Sequence, residues 1–317
     1  MKAGKVLKIL VPAALAGAFV CSSVKFADYA VSIKPQTLEE AWNWQKDHYD
    51  VSWYEDTDPE EYTVRSYDGY ELHAVLMHAP KKGAAPSGNA SAGRYVICSH
   101  GYTDNRYGTL KYAKIYLDLG YNVIAYDLRG HGKNEKTFCT YTVREAQDLF
   151  ALIRDTFDRC GDDITLGLHG ESLGAATSVA VLKYTRGLPS QKISFVVADC
   201  GFADIINVLK GGLKAMNPAL VPMVYPASLA AKIKYGYSFT SMRPIDSLKG
   251  NQVPICFIHG EDDTFIDPDN SERMSKTTAG YSEVHLIPGA AHAKSVLTEP
   301  EMYKGYVADF LTKLESM

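Results

Sequence analysis

The sequence predicts an α/β protein built on a mostly parallel sheet with helices on both faces. Two observations predict it. Short apolar runs rich in β-branched residues, among them RYVICSHG (94–101), DITLGLHG (163–170), ISFVVADC (193–200) and PICFIHG (254–260), do not alternate between polar and apolar and read as strands buried on both faces. Segments with helical periodicity separate them, and strand–helix alternation implies parallel pairing through helical crossovers. A chain of 317 residues, 46% of them hydrophobic, can bury one large core.

Each segment has its own signature. Lys2, Lys5 and Lys8 precede an apolar run over 9–24, the pattern of a signal peptide or N-terminal membrane anchor covering residues 1–30. The run falls short of the roughly 20 residues of a full span, so membrane association through 9–24 would be shallow or tilted. The lysines would stay in the cytoplasm and the rest would be extracytoplasmic, anchored or secreted in a bacterial cell envelope. An ordinary buried first helix is the alternative.

Residues 37–50 predict a short helix, with Thr37 and Glu40 spaced as a capping box. Alternating strands over 61–79 flank Asp68-Gly69, a hairpin signal. A Gly/Pro/Ser/Ala loop follows over 80–94. Further helices are expected near 106–119, 143–159, 173–185 and 269–278 and from Glu299, with strands at YNVIAYD (121–127) and SEVHLIPG (282–289).

Composition narrows the function. The net charge is -4 with a pI near 6.1, and no long basic run marks a nucleic-acid surface. The six cysteines include no C-x-x-C pair, and Cys98 and Cys256 sit in strand-like runs as small hydrophobes. An extracytoplasmic location would allow a Cys139–Cys160 bridge. No H-E-x-x-H or comparable ligand set points to a metal.

The chemistry gathers at Gly170-Glu171-Ser172-Leu173-Gly174, directly after the strand ending at 170 and directly before an alanine-rich helix. A sharp strand-to-helix turn exposes the serine oxygen above the sheet and tolerates only tiny residues beside it. A serine hydroxyl needs a base, and His292 in PGAAHAKS follows the last expected strand on a Gly/Ala-rich loop. His100, His169 and His259, each beside a glycine at a strand end, read as packing or loop-shaping residues, and His285 falls in mid-strand. An acid must orient the imidazole; Glu261, Asp262 and Asp263 all follow the PICFI strand, with Asp267 close behind. The oxyanion needs two backbone N–H groups, expected from Leu173 and Tyr102.

At this point SHGYTDNR, YDLRGHG, GLHGESLGA, ADCGF, FIHGEDDTFIDP and PGAAHAKS, in that order, resemble the α/β-hydrolase superfamily over about residues 61–317. More narrowly, the chain looks like the membrane-anchored or secreted bacterial esterase, lysophospholipase or serine aminopeptidase-like branch. The resemblance implies a hydrolase domain over 31–317, a helical cap inserted at 203–250 and no cofactor. It places the acid three residues after the glycine of His259-Gly260, which selects Asp263, and it assigns Asp127 and Arg129–Gly132 to loop structure. Relatives often carry valine before the proline of the acid loop; Ile266-Asp267-Pro268 stands here and adds a carboxylate near the pocket mouth. Met216, Met223 and Tyr225 of the cap are candidates for an apolar acyl pocket.

The resulting expectation is a serine hydrolase acting on a small-molecule ester through Ser172, His292 and Asp263. A peptidase taking small peptides from the amino end is the second enzyme reading, set back by the lack of an acidic pair for an α-amino group. A non-catalytic binding protein is the third, and it would be marked by loss of one of the three residues. A dehalogenase-type reaction needs a carboxylate at position 172, where serine stands.

Overall fold

Eight strands form one sheet in the order β1-β2-β4-β3-β5-β6-β7-β8, where β1 is Glu60–Arg65, β2 Glu71–Met77, β3 Arg94–Ser99, β4 Asn122–Tyr126, β5 Thr165–Glu171, β6 Ile193–Asp199, β7 Ile255–Gly260 and β8 Ser282–Ile287. The computed structural model describes residues 3–80, 93–186 and 192–317. Its helices are α1 (Ala3–Val31), α2 (Leu38–His48), α3 (Leu110–Asp118), α4 (Val143–Cys160), α5 (Leu173–Ala180), α6 (Leu182–Thr185), α7 (Ile205–Met216), α8 (Val224–Tyr235), α9 (Asp269–Thr277), α10 (Ser295–Thr298) and α11 (Pro300–Glu315).

The β1–β2 and β2–β4 pairs are antiparallel and every other pair is parallel. The expected mostly parallel sheet is therefore present, and the Asp68-Gly69 turn joins its antiparallel edge, with Gly69 at φ +85°. Strand burial explains the non-alternating runs. Val96, Cys98, Val197, Cys256 and Ile258 pack on one face with Tyr303, Val307 and Phe310 of α11. Ile97, Leu168, Val196 and Phe257 are buried as well, so both faces are covered, as a parallel sheet requires.

Local signals also hold. Thr37 and Glu40 close the capping box of α2: Glu40 N–H donates to Thr37 Oγ1 at 3.1 Å, and Thr37 N–H donates to Glu40 Oε2 at 2.8 Å. The helix expected over 173–185 is broken into α5 and α6 at Val181. Residues 81–92 of the expected 80–94 loop lie outside the described residues. All six cysteines are free thiols, so Cys139 and Cys160 are not bridged.

The chain divides into two compact units. The larger, residues 33–203 and 243–317, holds the sheet. The smaller joins residues 1–32 to 204–242, which differs from the expected 203–250 cap and a separate N-terminal segment. The reason is visible within that unit. The Asp28 carboxylate accepts from Lys234 Nζ at 2.8 Å and from the Tyr235 hydroxyl at 2.7 Å, tying α1 to α8, and Ala27, Ala30, Ala227 and Ala231 are buried. Among the described residues no helix is long and apolar enough to cross a membrane. Of the side chains considered for an acyl pocket, Met223 is buried, whereas Met216 and Tyr225 are exposed.

Candidate active site

Ser172 sits between β5 and α5, Asp263 follows β7 and His292 follows β8, so all three stand at the carboxyl ends of parallel strands. This is where open α/β sheets place ligands. The turn that carries Ser172 is tight enough to dictate its neighbours. A Cβ on Gly170 would come within 2.3 Å of the Gly174 backbone, and one on Gly174 within 2.1 Å of Ser99 O. Ser172 itself has φ +53°, a region that L residues avoid, and its N–H donates to Asp199 O at 2.8 Å. Such strain costs on the order of 1–3 kcal/mol and persists only where the surroundings enforce it.

The side chains meet. Ser172 Oγ lies 3.0 Å from His292 Nε2, and His292 Nδ1 lies 2.7 Å from Asp263 Oδ2. Asp263 is buried, whereas Glu261, Asp262 and Asp267 are exposed. Asp267 accepts from Asp269 N–H at 2.9 Å and so serves the start of α9. Asp263 Oδ1 accepts the N–H groups of Phe265 and Ile266, both at 2.9 Å. Burial alone would raise this carboxyl, but hydrogen bonds from His259 and His292 outweigh it and hold the group far below the usual carboxylate range.

His259 is more than packing. Its Nε2 faces two acceptors, Ile266 O at 2.8 Å and Asp263 Oδ2 at 3.1 Å, so that nitrogen carries the proton. Its Nδ1 then accepts from the Ser271 hydroxyl at 2.8 Å. The sequence alone reads His259 as a packing or loop-shaping residue, because a histidine before a glycine carries no mark of its partner. His100 does match that reading: Nδ1–H donates to Gly101 O at 2.7 Å and Nε2 accepts from Leu128 N–H at 2.9 Å. Burial pushes its pKa down to about 4. Asp127 likewise shapes a loop, accepting from Arg106 N–H and Lys133 N–H, both at 2.9 Å.

Leu173 opens α5, where the first amides have no intrahelical acceptor. Tyr102 lies on the loop after β3 and lines a cavity together with His292. Two groups of potential metal-binding atoms occur among the described residues. One, Cys200, Asp263 and His292, shares two residues with the serine site. The other is Cys256, Glu283 and His285, where Glu283 already accepts from Lys313 Nζ and the Tyr281 hydroxyl.

A buried ionic cluster beneath the serine was not foreseen. Lys111 of α3 pairs with Glu171, and the Tyr112 hydroxyl donates to Glu171 Oε2 at 2.5 Å and to Asp199 Oδ2 at 3.0 Å. Burial opposes the charge on Lys111, yet Glu171 holds its pKa well above the ordinary value. Burial, then the nearby Glu171 charge, raises both Asp104 and Asp199 to about 6. The adjacency of Glu171 to Ser172 was the one available signal. A lysine in a helix reads as a surface residue.

The sequence pattern of the Alpha/beta hydrolase family matches residues 96–304. The chain belongs to that family. Within this alpha/beta hydrolase the matched span begins in β3 and ends in α11, so the first 95 residues lie outside it. The uncharacterized protein YqkD of Bacillus subtilis (strain 168) is 28% identical over 309 residues, covering 96% of this chain and 97% of that protein. Among solved structures, the Pyrococcus furiosus esterase Pf2001 superposes with a TM-score of 0.65 at 22% identity, covering 90% of this chain and 98% of its own. The Exiguobacterium antarcticum esterase EaEST has a TM-score of 0.56 at 17% identity, covering 80% and 100%. At these identities the likeness is one of fold.

Proposed function

We propose that this alpha/beta hydrolase cleaves carboxylic esters through a serine nucleophile and an acyl-enzyme. The observation that carries the reading is the chain of contacts from Ser172 Oγ to His292 Nε2 at 3.0 Å and from His292 Nδ1 to Asp263 Oδ2 at 2.7 Å. The esterase neighbours lend support for the ester class.

With the Nδ1 proton held by Asp263, His292 Nε2 is free to take the proton of Ser172 as Oγ attacks the acyl carbon. The N–H groups of Leu173 and Tyr102 are assigned to the oxyanion. The imidazolium then gives its proton to the leaving oxygen, the C–O bond breaks and the alcohol departs. Water repeats the attack on the acyl-enzyme, with His292 taking its proton and returning it to Ser172 as the carboxylic acid leaves. Asp263 stays ionised throughout, consistent with its strongly depressed pKa.

The test is a panel of p-nitrophenyl esters of graded acyl length together with a fluorophosphonate probe. Hydrolysis of at least one ester, with labelling of wild type but not of Ser172→Ala, is the expected outcome. A folded protein that is neither labelled nor active on any ester defeats the reading. The extracytoplasmic placement rests on the three N-terminal lysines and the apolar run after them. Cell fractionation checks it, and a purely cytoplasmic pool refutes it.

A further inference from the structure

The smaller unit, residues 1–32 and 204–242, differs from the rest of the chain in charge and in surface. It carries eight lysines and two aspartates, with no arginine or glutamate, a net +6. The whole chain stands at -4, so the remainder holds -10. Eight of the thirteen large hydrophobic side chains exposed among the described residues also belong to this unit, which is under a quarter of the chain. Scattered exposed hydrophobics are ordinary, whereas a concentration of them marks an interaction site.

Helix α8 shows how this surface is built. Val224, Ala227, Ser228 and Ala231 are buried at helical spacing, and α1 and α8 pack on each other. Tyr225, Leu229 and Ile233 recur every four residues on another side of the helix, where Leu229 is 61% and Ile233 79% exposed. A surface helix normally turns polar residues outward, yet here both stripes are apolar. Basic groups border the outer one. Lys232 is three residues from Leu229 and so neighbours it on the helix surface, and Lys210 Nζ lies 5.0 Å from the centre of the Tyr225 ring. Among the described residues of this unit Lys234 alone pairs with a carboxylate, that of Asp28, so Lys25, Lys210, Lys214 and Lys232 carry uncompensated charge.

The partner of such a face must offer both apolar surface and negative charge. Nucleic acid supplies the charge but would leave Leu229 and Ile233 in water. A second copy presenting the same face would set +6 against +6. A bilayer with anionic headgroups meets both demands: apolar side chains enter the boundary between headgroups and acyl chains while the lysines stay with the phosphates. Docking of this kind needs no spanning helix, and among the described residues no helix is long and apolar enough to be one.

We infer that the outer face of α8, bordered by Lys210 and Lys232, docks this protein on an anionic lipid surface. The inference stands apart from the ester-hydrolase reading, since neither the face nor its test involves Ser172.

The test is co-sedimentation of the full chain with vesicles of phosphatidylcholine alone or of equal parts phosphatidylcholine and phosphatidylglycerol. Wild type should bind the anionic vesicles about tenfold or more tightly than the neutral ones, and the difference should shrink as NaCl rises from about 0.1 M to about 0.5 M. Leu229→Glu/Ile233→Glu should weaken binding by about tenfold or more. Both side chains are exposed, so the buried stripe of α8 is untouched, and circular dichroism checks the fold. Lys210→Gln/Lys232→Gln, a second variant, should weaken binding to anionic vesicles roughly 30-fold and leave binding to neutral ones unchanged.

Unchanged binding by folded Leu229→Glu/Ile233→Glu would place the attachment elsewhere, such as the apolar run over 9–24, and overturn the inference. Equal affinity for the two kinds of vesicle, or no vesicle binding by wild type, would overturn it as well. Sedimentation equilibrium separates the remaining occupant. Self-association of wild type that Leu229→Glu/Ile233→Glu abolishes, without vesicle binding, would assign the face to a second copy instead.

Discussion

Replacing Asp263 by asparagine tests whether the carboxylate sets the tautomer of His292. In the native site Oδ1 accepts two backbone N–H groups, from Phe265 and Ile266, while Oδ2 faces the N–H groups of His259 and His292. An asparagine that keeps the two backbone bonds on its oxygen turns an NH2 group toward both imidazoles. His259 is held by Ile266 O and Ser271, so its proton stays where it is. His292 can adapt only by moving its proton to Nε2, which then faces Ser172 as a donor and cannot accept the serine proton. Two charge-assisted hydrogen bonds are lost or inverted, each worth about 1.5–3 kcal/mol. The sum, about 3–6 kcal/mol, corresponds to a fall of roughly 10²–10⁴ in kcat. The assay is steady-state hydrolysis of p-nitrophenyl butyrate, with circular dichroism to show that the variant is folded. A folded Asp263→Asn retaining activity within tenfold of wild type would refute the reasoning.

Three further outcomes follow from the same geometry. Gly174→Ala should destabilise the protein by about 3 kcal/mol or more, since the new Cβ would lie 2.1 Å from Ser99 O and both clashing groups are backbone; an unchanged thermal midpoint contradicts this. His259→Phe removes one donor from Asp263, so kcat should drop about tenfold with KM nearly constant; a change confined to KM argues against a positioning role. Asp199 is raised from 3.8 to about 6 by burial and Glu171, so the folded state holds a proton that the unfolded chain releases between about pH 4 and 6. Its contribution therefore becomes unfavourable as pH rises through that window and stays so above it. Asp199→Asn should then stabilise at pH 8 by up to about 3 kcal/mol and give no gain below pH 4, as urea unfolding at both pH values would reveal.

Much of this architecture was legible because its causes are local. The runs 94–101 and 193–200 announce two-faced burial by composition, and the capping box at Thr37 and Glu40 closes within four residues. The elbow was legible for a similar reason. Only glycine fits at 170 and 174, so the constraint is written into residue type. The partner of His292 was harder to read. Four carboxylates cluster after β7, and what separates Asp263 from the rest is the pair of backbone amides at 265 and 266 turned toward it, a property of the folded loop. The grouping of residues 204–242 with the first helix is not legible in the sequence for a different reason. The contact between Asp28 and Lys234 spans about two thirds of the chain, and no periodicity in either segment encodes its partner.

The same distinction separates the residues of the candidate site from those of the helix ahead of it. Ser172, Asp263 and His292 all lie inside the span matching the family pattern, at strand ends that the sheet holds in register. Gln45 and Trp44 lie outside it, on a helix whose own sequence says only that it is capped. A helix of that kind normally buries its apolar face and leaves its polar residues in water. Here Gln45 is buried instead, and neither end of its amide meets a protein hydrogen-bond partner among the described residues. That burial is unfavourable for folding by itself.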